Sequence, residues 1–394
     1  MNLLYACNVV PYPSFSGNRK RHLDEIVALT EEFKVYLVII SDETIGDEAY
    51  GFLSSLCVRI LLIKPNSRFI RLKQVWSIHS KWTLSSRVDT EAIVKLRKII
   101  LSIQPAVAIA NYYDVLSILL NADVDIKKLV FIPHDIPDEI YSNASKVTNN
   151  LFLKLYYKIE LFKHERDERL FNHKLFNIVV FTERDKYYFV RRYLDANVFV
   201  SPIGINSLNF KAEQTTFVRD KSVFLIVGSG RHPVGEKEVW NFISKIALLL
   251  TRDITIRIVG PNWRLGHYKF GRLKVEFVGY VPNLRAEYDG AVAFIVPLFN
   301  PTGMNVKIVE ALVNGIPLLS TIEALDRLPA SHSISAIRCR SCKDFAEAIN
   351  NSFDQGFHVD HSKNLEYVQN NLSNTRIMKN YVSLIRAISF DPST

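Results

Sequence analysis

Residues 291–320 read AVAFIVPLFNPTGMNVKIVEALVNGIPLLS. The apolar run Ala291–Val296 predicts a buried strand. The turn Pro301-Thr302-Gly303 follows it and opens a helical stretch, Asn305–Val313. That stretch runs into Asn314-Gly315-Ile316-Pro317, a clean stop signal, and Pro317–Ser320 predicts the next strand. Strand, loop, helix, strand is the repeating unit of a parallel sheet covered on both faces.

The alternation continues in both directions. Upstream in the same half lie candidate strands Val223–Val227, Thr255–Val259 and Lys274–Phe277, with helical stretches Glu236–Leu250 and, downstream, Cys342–Ser352. The N-terminal half offers strands Leu3–Val9, Val35–Ile40, Val58–Ile63, Ala106–Ala110, Leu129–Ile132 and Ile178–Phe181, with helices such as Arg19–Glu32 and Glu91–Ile103 between them. The last segment, Asn364–Ile388, reads as helical. A chain of 394 residues exceeds the ~250–300 that one core usually serves. Two doubly wound α/β domains in series are therefore expected, with the boundary at the turn-rich run Ser201-Pro202-Ile203-Gly204-Ile205-Asn206.

Composition is that of a folded protein, 48% hydrophobic and 23% charged. The net charge of +9 favours an anionic partner: a nucleotide diphosphate, a nucleic acid or an acidic membrane. No helix-turn-helix, zinc or RNA-binding pattern supports the nucleic acid. Cys7 and Cys57 lie in apolar runs and read as core thiols. Cys339 and Cys342 form a lone C-x-x-C with only His332 nearby, too few ligands for a zinc site, so no metal is expected. The absence of a disulfide framework fits a reducing compartment. No run reaches the roughly 18 apolar residues of a span. Met1–Cys7 lacks the basic flank and length of a signal and reads as a first strand. A cytoplasmic protein is expected. Lys64–Arg87 stands apart, with six Lys or Arg, one His and no acid, interleaved with Phe69, Trp76 and Trp82. It reads either as a solvated loop with aromatic anchors or as a surface for an anionic membrane at the inner face.

In parallel sheets, ligands collect where strands end and helices begin. Two such loops hold suitable residues. Gly228-Ser229-Gly230-Arg231-His232-Pro233-Val234-Gly235-Glu236-Lys237 follows a strand and opens a helix. Its glycines let backbone N–H groups approach a phosphate, although Pro233 stands where a dinucleotide fingerprint needs glycine. Arg231 and Lys237 suit a diphosphate, one as a fork and one as a point charge. The second loop, at Gly303, can also offer N–H groups. Lys307 and Glu310 beyond it are three apart on one face and read equally as a surface ion pair. Asp123-Val124-Asp125, the one D-x-D, precedes a strand and so faces the wrong end of the sheet for a metal-dependent transferase.

Phe277-Val278-Gly279-Tyr280-Val281-Pro282-Asn283-Leu284, then Ala291–Leu298, then Gly303–Ser320 resemble the C-terminal domain of retaining glycosyltransferases of group 1, the family 4-like enzymes of GT-B fold. The shared features are a G-x-V-x-(D/N)-L turn, a K-(I/L)-(L/V)-E-A-L helix at Lys307–Leu312 and G-x-P at Gly315-Ile316-Pro317. Pro202–Asn206 resembles the family's hinge. The N-terminal half resembles the family only weakly.

The resemblance implies two Rossmann-like domains facing a cleft: residues 1–203 on the acceptor side, residues 204–375 binding the nucleotide sugar, and a helix at 376–394 packing back on the first. It implies that Glu310 binds the donor ribose and that Arg231 and Lys237 neutralise the diphosphate. Gly230, Gly303, Met304, Asn305 and Lys307 would complete the donor site. In the N-terminal half, Ser16-Gly17-Asn18-Arg19 resembles the family's glycine loop near the donor phosphate, and His134 resembles a histidine contacting the transferred sugar. One departure stands out: Thr302 occupies the position where many members carry a further glutamate. The implied activity is retaining transfer from a nucleotide sugar to a glycan or lipid-linked acceptor, without cofactor, in polysaccharide or lipopolysaccharide synthesis. A non-catalytic protein of the same fold and a sugar-nucleotide epimerase are the other readings.

Overall fold

The computed structural model describes residues 1–14, 17–64, 90–169, 177–206, 220–230 and 233–390. The chain divides into two compact units, Met1–Ser201 with Thr375–Thr394, and Pro202–Asn374.

In the first unit, seven strands form one sheet in the order β3-β2-β1-β4-β5-β6-β7. They are β1 (Asn2–Cys7), β2 (Lys34–Ile40), β3 (Arg59–Ile63), β4 (Val107–Asn111), β5 (Leu129–Ile132), β6 (Asn177–Val180) and β7 (Asn197–Val200). Every pairing is parallel. The central strands β1, β4 and β5 are near-continuous apolar runs, the pattern of strands covered on both faces. Helix α1 (Gly17–Thr30) follows β1. The final helix, Asn374–Phe390, contributes the buried Tyr381 and Ile385 to this unit, and its Arg386 pairs with Glu32 at 3.4 Å.

The second unit repeats the design. Its sheet runs β10-β11-β9-β8-β12-β13-β14. The parallel strands are β8 (Asp220–Val227), β9 (Ile254–Val259), β11 (Leu273–Gly279), β12 (Ala291–Val296), β13 (Leu318–Thr321) and β14 (Ile337–Cys339). Strand β10 (Gly266–Phe270) pairs antiparallel with β11 at the edge, an element the sequence pattern does not announce because its side chains are half-buried or exposed.

In both sheets the strand order reverses once, between β1 and β4 and between β8 and β12. At such switch points the flanking loops part and leave a crevice at the carboxyl ends of the strands.

The helical stretch expected over 364–388 is two helices, His361–Leu372 and Asn374–Phe390. Ser373 breaks it by forming a parallel bridge with Ile205. The Ile205 amide donates to Leu372 O (2.9 Å) and the Asn374 amide to Ile205 O (3.1 Å). A Cβ at Gly204 would lie 2.6 Å from Asn374 Cα, so glycine permits this crossing.

Most of the basic stretch Lys64–Arg87, with Arg231 and His232, lies outside the described residues.

Candidate functional site

The switch point of the second sheet holds a cavity of about 290 Å³. One wall is Gly228 and Ser229, which follow β8, with Gly235, Glu238 and Val239 from the helix Pro233–Ile246. The other is the stretch after β12, including Asn300, Thr302, Met304, Asn305 and Lys307.

Hydrogen bonds fasten both walls. The Trp263 indole donates to Gly228 O (2.8 Å), and the Gly230 amide donates to Pro261 O (3.0 Å). Gly260 has φ +140°, and a Cβ there would lie 1.8 Å from Gly228 O. Only glycine fits between the two loops. On the other wall, buried Arg327 donates to Pro301 O (2.6 Å), and Asn300 donates twice to Glu238 Oε1, from its backbone (3.0 Å) and its amide (2.7 Å). Burial pushes the Glu238 carboxyl above its ordinary range, and the Asn300 bonds partly offset this.

Of the candidate residues in this unit, Met304, Asn305 and Lys307 line the cavity. Asn305 caps the helix Val306–Val313 by accepting from the Lys307 amide at 3.0 Å. Gly303 has φ +62°, the left-handed conformation that favours glycine, and turns the chain into that cap. Lys307 Nζ lies 2.9 Å from Glu310 Oε2, so the ion-pair reading of the spacing holds in this structure. Glu310 also accepts from Tyr288 OH at 3.4 Å, and neither Glu310 nor Gly230 is among the lining residues. Lys237 is not either. The lining positions 235, 238 and 239 share one helix face, and 237 falls on the opposite side of the helix.

Sequence reading passed over Glu238, Asn300 and Trp263. Glu238 had a signal, an acid one turn into the helix after the glycine loop. The role of Trp263 depends on an approach of two distant loops.

In the first unit, His134 follows β5 and Gly17 opens α1. Asn111 Nδ2 donates to Ala6 O (3.1 Å), which turns its Oδ1 toward His134 Nε2 at 2.9 Å. An amide oxygen can only accept, so the assigned network puts the proton on Nε2. Burial, with His22 and Arg21 nearby, holds His134 well below the ordinary imidazole range. It is a neutral ring, suited to hydrogen bonding rather than proton donation. Tyr112 stacks on it with centroids 4.0 Å apart, and the Tyr112 hydroxyl donates to Asn18 Oδ1 at 2.6 Å. The fold thus ties His134 to the helix start at Gly17. Tyr112 (φ +73°) and His134 (φ +62°) both hold left-handed backbone, a strain that collects at functional sites.

Beneath them lies a polar network missed from sequence. Arg21 pairs with Glu25 at 2.5 Å, and Tyr5 OH donates to Glu25 (2.6 Å) while facing His22 Nδ1 (2.8 Å). Its only trace in the sequence is charge at helix positions flanking Ile26 and Leu29.

Residues 221–355 match the family model described as Glycosyl transferases group 1. No curated protein matches the chain. Solved structures match it nearly end to end. Anabaena HepE in complex with UDP superposes with a TM-score of 0.62 at 12% identity, over 98% of this chain and 100% of that one. Sucrose-phosphate synthase from Thermosynechococcus elongatus gives 0.63 at 13%, over 98% and 99%. WaaG, a glycosyltransferase involved in lipopolysaccharide biosynthesis, gives 0.59 at 13%, over 97% and 99%. At such identities the likeness is one of fold. The chain therefore has the GT-B fold of two Rossmann-like sheets, and its residues 221–355 match the group 1 glycosyl transferase model.

Proposed function

We propose that the chain is a glycosyltransferase that takes its sugar from a nucleotide-sugar donor held in the cavity of the second unit. The observation that carries this reading is the placement of that cavity at the β8/β12 switch point, inside the segment that matches the group 1 model. HepE binds UDP at the same fold, which makes a uridine nucleotide the first donor to try.

In this reading Gly303, Met304, Asn305, Lys307 and Glu310 hold the donor, and Arg231, Lys237 and Gly230 approach the diphosphate. Gly17 approaches the donor phosphate and His134 the transferred sugar, the neutral imidazole, its Nε2–H given to Asn111, accepting a hydrogen bond from a sugar hydroxyl. Transfer proceeds with retention. The departing phosphate assists the acceptor hydroxyl on the same face, so neither an enzymatic nucleophile nor a metal is needed. Thr302 in the lining is compatible with that chemistry. The protein contributes position and charge neutralisation, where one such contact is typically worth about 3–4 kcal/mol. The acceptor is a glycan or lipid-linked sugar of surface polysaccharide or lipopolysaccharide, met at the cytoplasmic face of a membrane.

Thermal denaturation with a panel of nucleotide sugars tests the donor reading. The true donor in excess raises the melting temperature by mass action. If no nucleotide or nucleotide sugar shifts it, the reading fails. The anomeric configuration of the product, read by proton NMR, tests retention. Donor turnover without any acceptor would favour an epimerase.

A further inference from the structure

The helix Leu151–Arg169 is built inside out. Its buried residues are charged or polar: Glu160, Lys163, His164, Asp167 and Glu168. These face the first unit, where Glu168 meets Arg192 and Tyr193, and His164 lies edge-on to Tyr113 with centroids 5.0 Å apart. The opposite face carries exposed apolar side chains set among Lys158, Glu165 and Arg169. Leu151 (78%), Leu155 (52%) and Phe162 (51%) lie at i, i+4 and i+11, with Phe152 (77%) beside them. That spacing aligns side chains along one face for about 16 Å and normally marks the side a helix buries.

An isolated exposed leucine needs no explanation, but a continuous stripe does. Its charge setting identifies the partner. Residues 140–159 contain Lys146, Lys154 and Lys158 and no acid. Lys158 falls at i+7, within the stripe, and Lys154 at its border, both exposed. Apolar side chains to enter an acyl layer and lysines to meet headgroups are the two requirements of an interfacial helix. The helix start, Leu151-Phe152-Leu153, is exposed on all sides, the arrangement of a tip that enters first.

We propose that this helix docks the protein on an anionic lipid bilayer, with Leu151, Phe152, Leu155 and Phe162 entering the interface and Lys154 and Lys158 contacting headgroups. The anchor is distinct in sequence from the basic stretch Lys64–Arg87 and does not depend on the donor reading.

The test is flotation of the full chain with phosphatidylglycerol–phosphatidylethanolamine vesicles and with phosphatidylcholine vesicles. The wild-type chain is expected to bind the anionic vesicles and to be released by salt. Phe152→Ser with Leu155→Ser should lower partition by about tenfold or more. Lys154→Gln with Lys158→Gln should abolish the preference for anionic lipid. Circular dichroism and UDP affinity of the same preparations check the fold and keep a failure here distinct from a failure of the donor reading. If the double serine variant does not fold, Leu155→Gln alone serves. Absence of wild-type binding, or unchanged partition in the variants, overturns the proposal. So does release by neutralising Arg68, Arg71 and Lys73 while the helix variants still bind. A wild-type dimer that the serine variant turns into a monomer would assign the stripe to a second copy instead.

Discussion

Glu238 Oε1 accepts two hydrogen bonds from Asn300, one from the backbone at 3.0 Å and one from the side-chain amide at 2.7 Å. One carboxylate on the helix after β8 thereby holds the loop after β12, and the two walls of the cavity are fixed to each other. Glu238→Ala should cost about 2–3 kcal/mol by leaving the Asn300 donors unpaired, and should weaken nucleotide binding with it. Glu238→Gln keeps an acceptor. Because burial raises the native carboxyl pKa, protonation is favoured in the folded state. The stability this group contributes is present below its unfolded value, about 4.3, and is lost as pH rises through the raised native value. The stability of Glu238→Gln relative to wild type should therefore grow between pH 4 and pH 8. A difference that stays flat in urea titrations across that range would refute the argument.

The Lys307–Glu310 pair is half-exposed, with side-chain exposures of 37% and 30%, so breaking it should change stability by less than about 1 kcal/mol. Glu310→Ala is nevertheless expected to lower affinity for UDP by about tenfold or more, the weight of one hydrogen-bonding contact of about 1.4 kcal/mol. Calorimetric titration beside a melting curve separates the two effects. Unchanged UDP affinity would remove Glu310 from the donor site.

Two glycines offer a contrast. Gly260→Ala places a Cβ against Gly228 O with φ at +140°, and should destabilise the second unit by about 3 kcal/mol or more. At Gly17 a Cβ would meet nothing within 4 Å. Gly17→Ala should leave the melting temperature unchanged or slightly raised, since alanine suits a helix better. If Gly17 admits a ligand, transfer slows by about tenfold or more in a fully folded protein. Full activity in that variant would show the position to be an ordinary helix start.

His22 is fully buried, and burial, reinforced by Arg21, lowers its pKa to about 3. The ring is neutral in the fold, while the unfolded chain protonates it near 6.5. Its contribution to stability is complete above about 6.5 and is lost as pH falls from there toward 3, with about 1.4 kcal/mol gone by pH 5.5. The His22 imidazole resonances should not titrate between pH 8 and pH 5. A midpoint above 5 would contradict its burial as a neutral ring.

Much of the fold is local and was therefore legible. Leu129–Ile132 and Ala291–Val296 are apolar without interruption, and strands occupy the same residues. The helix at Val306–Val313 follows a capping Asn305 and runs into Gly315, so its span follows from near neighbours in the chain. Lys307 and Glu310 are one turn apart, and spacing alone brings them together. The residues that sequence left open owe their state to distant partners. Gly266–Phe270 is a strand because β11 offers it an edge, and Ser373 interrupts a helix because Ile205 crosses there. Glu238 became a brace across the cavity only when Asn300, 62 residues away, reached it. In the helix Leu151–Arg169 the local pattern points the opposite way from the outcome. Its leucines and Phe162 read as a core face, yet the tertiary structure buries Glu168 and His164, whose partners include Arg192 and Asp138 on other elements. Periodicity reports which side chains share a face. Which face turns inward depends on the partners that the rest of the chain brings to it.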